Sequence, residues 1–322
     1  MKFFSRLICI LLLSLVLVGC GADDQTLEKI VLPVGFIPSV QFAPFYAAIH
    51  NGYFAEYGYD VELLYGYEID AVSLVGSGEY KVAIASGEQV VLAQSQGLPV
   101  VYVYNWFEDY PVGLTALKSS GISQLSDISG KTIGIPALQG ASYIAYKGFE
   151  SLGEFDSDTV RLDVIGFTQA ELLSQGKVDA AVVYLTNEPV VLSEQGYELD
   201  TFALSDFLLL VGNGIITNNN MVENDPEFLQ NFIEATNRGV AFVANNPEGA
   251  YELCKQFVPN LENDQTYQYQ VLLASIDIWN ISQQGRSDTD AWENTLTLMA
   301  AIGLADQSLR VEDLFTNDLI VD

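Results

Sequence analysis

The chain holds one histidine, His50, and three cysteines, Cys9, Cys20 and Cys254. Nucleophilic catalysis of the Ser-His-Asp kind needs an imidazole beside its nucleophile, and a zinc site needs three or four soft or imidazole ligands. A single His, placed near the end of a predicted helix, reads as a surface residue and supports neither. Cys254 reads as a small hydrophobe on a helix. Two carboxylates, Glu88 and Glu188, stand at predicted helix starts. There they can complement the helix dipole or meet a ligand, and acid/base chemistry by the pair stays open. What remains is aromatic and amide in character. Phe36, Phe42, Phe45, Tyr46, Tyr65, Tyr67, Tyr104, Trp106, Phe107, Tyr110, Tyr143 and Tyr184 fall in six predicted loops with Ser39, Gln41, Ser86, Gln89, Asn105, Gln139, Ser142 and Asn187. Flat apolar walls with a few orienting hydrogen-bonding groups suit a neutral, planar, heteroatom-rich molecule.

The six loops cover 36–46, 65–70, 86–89, 104–111, 138–143 and 184–189, and none contains Lys or Arg. A buried anion needs compensating charge or donors, so a sulfonate, nitrate or phosphate ligand is disfavoured. Helix-starting amides, as at Gly140-Ala141-Ser142, can supply some donors, or serve only as a cap. Several candidates have a second reading. Trp106 can stack on a ligand or pack beside a hinge, Tyr65 and Tyr67 can close a strand, and Phe45 is expected to face the core beside Tyr46. Asn187 and Tyr184 sit just past a strand end, which favours ligand contact.

These loops must be held by alternating strands and helices. Strand-like runs cover 30–36, 59–65, 82–85 and 100–106, with helix-like runs between them, which predicts a parallel sheet. After a polar connector the pattern restarts, with strands at 132–136, 159–166, 178–184 and 197–203 and helices at 140–152, 168–176 and 187–195. A strand-like run at 207–217 leads to a long helix over 226–245, and the remainder is mostly helical. The expectation is an α/β chain in two lobes, 30–115 with 208–322 and 116–207. Strands near Pro111–Leu117 and Ala203–Thr217 are expected to cross between them as a two-strand hinge. In open α/β sheets ligands sit beyond the C-terminal strand ends, so both lobes are expected to line one cleft.

The N-terminus carries Lys2 and Arg6, then Leu7 to Val18 with Ser14 its one polar residue. That run is too short for a ~20-residue membrane span and has the length of a secretory core. Leu17-Val18-Gly19-Cys20 closes it. This pattern resembles the lipobox of bacterial lipoproteins, which implies a signal peptide over 1–19, acylation of Cys20 and a polar tether over 20–29. Three acyl chains exceed what stable anchoring requires. The implied location is the extracytoplasmic face of the cell membrane. The net charge of −29, which becomes −31 once Lys2 and Arg6 are removed, repels nucleic acid and anionic headgroups. One remaining Cys permits no disulfide.

Val40-Gln41-Phe42-Ala43-Pro44-Phe45-Tyr46-Ala47-Ala48, followed by Asn51-Gly52-Tyr53-Phe54, resembles the opening of substrate-binding proteins related to thiamine-pyrimidine-precursor binders. Gly97-Leu98-Pro99-Val100-Val101, Gly130-Lys131-Thr132-Ile133-Gly134 and Gly176-Lys177-Val178-Asp179-Ala180 extend the likeness to about residue 250. The resemblance implies a type II periplasmic-binding-protein fold and service to an ABC-type importer, with permease and ATPase subunits as partners and a monomeric state. Ser86-Gly87-Glu88-Gln89, Ile165-Gly166-Phe167-Thr168-Gln169 and Tyr184-Leu185-Thr186-Asn187-Glu188-Pro189 look most like riboflavin-binding lipoproteins. The pyrimidine-binding branch usually carries a Pro-Asn-Thr-type turn with a His where this chain reads Pro38-Ser39-Val40-Gln41-Phe42. The related pyrimidine synthases carry a Cys-rich motif and a catalytic His, both missing here. The expected function is therefore capture of riboflavin, with a pyrimidine precursor or another neutral heterocycle as alternative, and an enzyme acting on a pyrimidine as the remaining one. No cofactor, metal or catalytic residue is expected. The expected ligand-binding set is Ser39, Gln41, Phe42, Tyr46, Ser86, Glu88, Gln89, Trp106, Gln139, Ser142, Tyr143, Tyr184, Asn187 and Glu188.

Overall fold

The computed structural model describes residues 26–261, 266–306 and 308–321. The expected signal peptide, Cys20 and the first part of the tether lie outside them. The chain opens with β1 (Glu28–Val34), whose Ile30, Leu32 and Val34 are buried. It pairs in parallel with β2 (Tyr59–Tyr65) across α1 (Ala43–His50). Next come α2 (Glu68–Gly76), β3 (Ala83–Ser86), α3 (Gly87–Ser95) and β4 (Val100–Asn105). The second half runs β5 (Val112–Leu117), β6 (Thr132–Ile135), α4 (Gly140–Ser151), β7 (Arg161–Val164), α5 (Gln169–Ser174), β8 (Ala180–Tyr184), α6 (Glu188–Glu194) and β9 (Leu199–Ala203). The chain then returns through β10 (Asn213–Asn218) to α7 (Asn219–Asn224), α8 (Pro226–Asn245), α9 (Pro247–Cys254), α10 (Thr266–Asp277) and α11 (Thr289–Ala301). Among the described residues no helix is long and apolar enough to cross a membrane.

Two of the expectations for the strands are corrected. The first half is not one parallel sheet, because β10 inserts antiparallel between β3 and β4 while β1 and β2 form a separate ladder. Gly214 on β10 permits this. A Cβ there would fall 2.0 Å from the Tyr104 carbonyl oxygen, beside the irregularity between Ile215 and Ile216. Nor do β5 and β10 cross between halves. All of β5 lies in the five-stranded sheet, antiparallel to β8 and β9, and all of β10 lies in the three-stranded one. The expected boundary at 115/116 would cut β5 in two. The chain instead passes between sheets in the connectors 106–111 and 204–212. An apolar run such as Val-Gly-Leu-Thr-Ala-Leu shows that a strand forms, but its partners are set by non-local pairing.

The outer edge of β4 is covered. Tyr102 receives the Thr316 N–H on its carbonyl and gives its own N–H to Leu314, so the C-terminal segment protects an otherwise open ladder. α8 buries Phe228, Leu229, Phe232, Ile233, Thr236, Gly239, Val240 and Val243, the three- and four-residue spacing of one helical face. Gly239 lets α8 meet α1 closely, since a Cβ there would sit 2.1 Å from the Pro44 carbonyl oxygen. Each such Phe, Leu, Ile or Val contributes roughly 1.5–3 kcal/mol when fully buried. One core joins β1, α1 and α8. A second runs from Val72, Val75 and Val91 to Ile133, Ile144 and Phe149, so the halves share packing on the hinge side. A third, smaller one lies under α5 and α6.

Candidate functional site

Strand ends of both halves converge on a cavity with about 890 Å³ of unfilled space counted out to its opening. β1 leads to Gly35 and Phe36, β2 to Tyr67 and Glu68, β4 to Trp106, β6 to Pro136, β7 to Phe167 and β8 to Tyr184. Rings and aliphatic side chains dominate the walls: Phe36, Phe42, Tyr67, Ile69, Ile84, Trp106, Phe107, Pro136 and Phe167. The polar lining is Gln41, Glu68, Gln139, Ser142, Gln169, Tyr184, Glu188 and Asn213, with no Lys or Arg.

The floor is a chain of buried hydrogen bonds. The Tyr184 hydroxyl donates to Asn213 Oδ1 (3.2 Å), and Asn213 Nδ2 donates to Glu68 Oε1 (2.6 Å). Ser86 Oγ lies 2.8 Å from Glu68 Oε2 and in short contact with Glu88 Oε1. A serine hydroxyl has one hydrogen, so it can donate to one of these carboxyls and must accept from the other. One of the pair therefore carries a proton. Burial pushes both carboxyls above the usual range, and the charge on Glu68 raises Glu88 further. Hydrogen bonds from Ser86 and Asn213, with the backbone N–H groups of Ser86 and Ala141, pull Glu68 back down. Glu88, whose Oε2 has no partner among the described residues, is the better holder of the proton. Gly35 makes room for this floor, because a Cβ there would fall 2.3 Å from Glu68 Cγ.

On the other half, Glu188 opens α6 and folds back on its own turn. It accepts from the Tyr184 N–H (3.0 Å) and from Asn187 Nδ2 (3.4 Å), and burial pushes it up to about 7. Besides the Ala141 N–H on Glu68, further contacts join the two sides of the cleft. Gln41 Nε2 donates to Thr186 Oγ1 (2.8 Å), Tyr184 meets Asn213, and Phe167 packs edge-on against Phe36 (4.9 Å) and flat against Tyr67 (5.5 Å). Trp106 is wedged against Phe45, Phe107 and Trp279, with Phe42 at 6.0 Å. Its Nε1 has no hydrogen-bond partner among the described residues.

Seven of the fourteen expected residues line this cavity: Gln41, Phe42, Trp106, Gln139, Ser142, Tyr184 and Glu188. The others are placed differently. Tyr46 is fully buried outside the lining, stacked on Phe257 at 4.5 Å, its hydroxyl 2.9 Å from that of Tyr65. α1 is enclosed on nearly every side, so both Phe45 and Tyr46 are core. Ser86, Glu88 and Gln89 are buried behind the lining, where Ser86 and Glu88 support Glu68 from beneath. Tyr143 packs on the second core, and Ser39 and Asn187 line a neighbouring cavity. Glu68, Asn213, Phe167 and Gln169 were not singled out from sequence. Phe167 and Gln169 stood inside a quoted motif. Asn213 was hidden because its strand was placed at the crossing. His50 is exposed at the end of α1, and Cys254 is buried in α9 with its thiol pushed up to about 12. Among the described residues no His, Cys, Asp and Glu group is arranged to hold a metal.

Two α/β halves facing each other across a cleft, joined by two connectors, make the fold of substrate-binding proteins of ABC-type import. The alkanesulfonate-binding protein SsuA of Xanthomonas axonopodis pv. citri superposes with a TM-score of 0.71 at 14% identity, over 90% of this chain and 99% of that one. The chain belongs to the NMT1/THI5 like family, whose model matches residues 39–250. It is 34% identical to the riboflavin-binding protein RibY of Chloroflexus aurantiacus over 92% of this chain and 87% of that protein. It is 27% identical to the formylaminopyrimidine-binding protein of Halalkalibacterium halodurans over 98% of each.

Proposed function

We propose that this protein is the extracytoplasmic substrate-binding component of an ABC-type importer, and that it captures riboflavin and delivers it to the membrane permease and its ATPase. The observation that carries this reading is a cavity walled by rings, edged by amides and hydroxyls, and free of Lys and Arg. An isoalloxazine ring is flat and neutral and carries nitrogen and oxygen along its edge. Phe42, Trp106 and Tyr184 offer it faces and edges, and Gln41, Ser142 and Asn213 offer hydrogen bonds. The name of the Chloroflexus relative points the same way. Cleavage before Cys20 and its acylation would tether a monomer at the outer face of the membrane.

Mature protein is expected to quench riboflavin fluorescence at near-stoichiometric amounts, and absence of quenching at micromolar protein overturns the reading. Replacing Cys20 by Ala is expected to move the protein from the membrane fraction to the exported soluble fraction. Retention on the membrane would remove the anchor from the proposal.

A second reading is favoured by the buried carboxyls. Glu68 or Glu188 can pair with the amidine edge of an aminopyrimidine, and a single ring needs no parting of Phe36 from Phe167. Competition calorimetry with riboflavin and a formylaminopyrimidine separates the two ligands.

A further inference from the structure

The ring-walled cavity does not end the cleft. Beyond the Phe36–Phe167 contact a second cavity opens, with about 990 Å³ of unfilled space counted out to solvent. Phe36, Phe167, Gln169 and Glu188 present a face to both. The chemistry of the two is different. Where the first is walled by rings, the second sets Ser39, Thr168, Glu171, Asn187 and Gln268 among the aliphatic residues Ile37, Pro38, Ala170, Val191, Val258, Pro259 and Leu261, with no aromatic ring beyond the shared Phe36 and Phe167.

Gln169 stands at the junction. It is 3% exposed and opens α5, and its Nε2 reaches only the Val182 carbonyl at 3.5 Å. Its Oε1 has no hydrogen-bond partner among the described residues. A buried acceptor left without a donor is costly, and a ligand hydroxyl passing this point would remove the cost. Further along, Thr168 Oγ1 donates to the Ile165 carbonyl (2.7 Å) and keeps lone pairs for an incoming hydroxyl. The partition itself is an edge-on ring contact between half-buried side chains, one from each half, so opening the cleft parts it.

We propose that the two cavities hold one ligand in two parts: a flat ring system in the first, and a hydroxylated chain in the second, threaded past Gln169. This rests on the flavin reading for the identity of the ring, and adds that the polyol chain is recognised by its own subsite. The chemical class is a heterocycle bearing a flexible polyol, as opposed to a bare ring.

The test compares riboflavin with lumiflavin, the same ring system carrying a methyl group in place of the chain. Both are titrated calorimetrically into mature protein and into the Gln268→Ala and Thr168→Val variants, whose folding is checked by their melting temperatures. Riboflavin is expected to bind at least about tenfold more tightly than lumiflavin. Each variant is expected to weaken riboflavin about three- to tenfold, the effect of one lost hydrogen bond, while lumiflavin stays within about twofold. Lumiflavin binding as tightly as riboflavin, or variants that weaken both alike or neither, overturns the two-part site and leaves flavin capture standing. Binding of neither flavin overturns both.

Discussion

Acidic side chains at the surface and in the cleft of this protein behave in opposite ways. Glu56 on the outside forms a two-pronged pair with Arg238 (2.7 and 3.0 Å), and that guanidinium holds its carboxyl below the usual range. Asp127 is likewise held low by hydrogen bonds from Ser123 and Gln124. In the cleft, Glu68, Glu88 and Glu188 are buried, meet no cation among the hydrogen bonds described above, and are all pushed up. A chain with formal charge −29 thus lowers the negative charge of its cleft by retaining a proton on the Glu68–Glu88 pair. The difference shows that desolvation, not the overall charge, sets the chemistry a ligand meets.

The harshest way to break the contrast is Glu68→Ala. It strands the Asn213 amide in a buried site, leaves the Ser86 hydroxyl with Glu88 alone and opens a void beside Gly35. A loss of about 3 kcal/mol or more is expected from a denaturant midpoint at unchanged slope. A stability unchanged within about 0.5 kcal/mol would show that the floor network contributes little.

Next in size is the pH dependence. The three cleft carboxyls have folded pKa values above their unfolded ones, so between the two the folded state holds more protons. Their contribution is fully present below the ordinary carboxyl range. It is lost as pH rises through the folded values, which for Glu188 lie near 7. Stability is therefore expected to decline from about pH 5 towards pH 9, by up to about 1.4 kcal/mol per pH unit for each proton released. Glu88→Gln, a permanently neutral near-isostere, should flatten that slope. The surface carboxyls act with the opposite sign: their depressed values give stability that is lost only as pH falls through them. A profile rising steadily from pH 5 to 9 contradicts proton retention in the cleft.

Smaller still is the effect of Gln41→Ala, which removes the donor to Thr186 across the cleft. About 1 kcal/mol, or a roughly fivefold weaker ligand affinity, is expected, together with a more open average shape in small-angle scattering. Glu56→Gln should be the mildest change, with a melting temperature almost unmoved, because an exposed ion pair is screened by solvent. A shift as large as that of Glu68→Ala would erase the distinction between surface and cleft.

Much of the fold could be read along the chain. The strand over 59–65 and the helix over 226–245 match the structure at both ends, because alternation, helical spacing and an opening proline are local properties. The aromatic, cation-free character of the cleft was also legible, since Gln41, Phe42, Trp106 and Tyr184 follow strand ends or precede a helix start. Glu68 was not legible. It follows Tyr67 like any acid in a first helical turn, and only the approach of Ser86, Asn213 and Gly35 makes it a buried floor. Tyr46 was misleading for a related reason. Its helix has polar neighbours in sequence, but α8 and Phe257 cover the face that would otherwise meet the cleft.

Residue types and their spacing were enough to establish alternating α/β elements, a single imidazole near a helix end, and loops rich in rings and poor in positive charge. These follow from backbone periodicity and side-chain chemistry, which act within a few residues. Which sheet β5 and β10 join, where the chain crosses, which carboxyls lose their water and how Phe167 divides the cleft came only with folding. Strand pairing and desolvation depend on groups brought together from far apart in the chain, as Glu68 is with Asn213, and their energies do not exist until those groups meet.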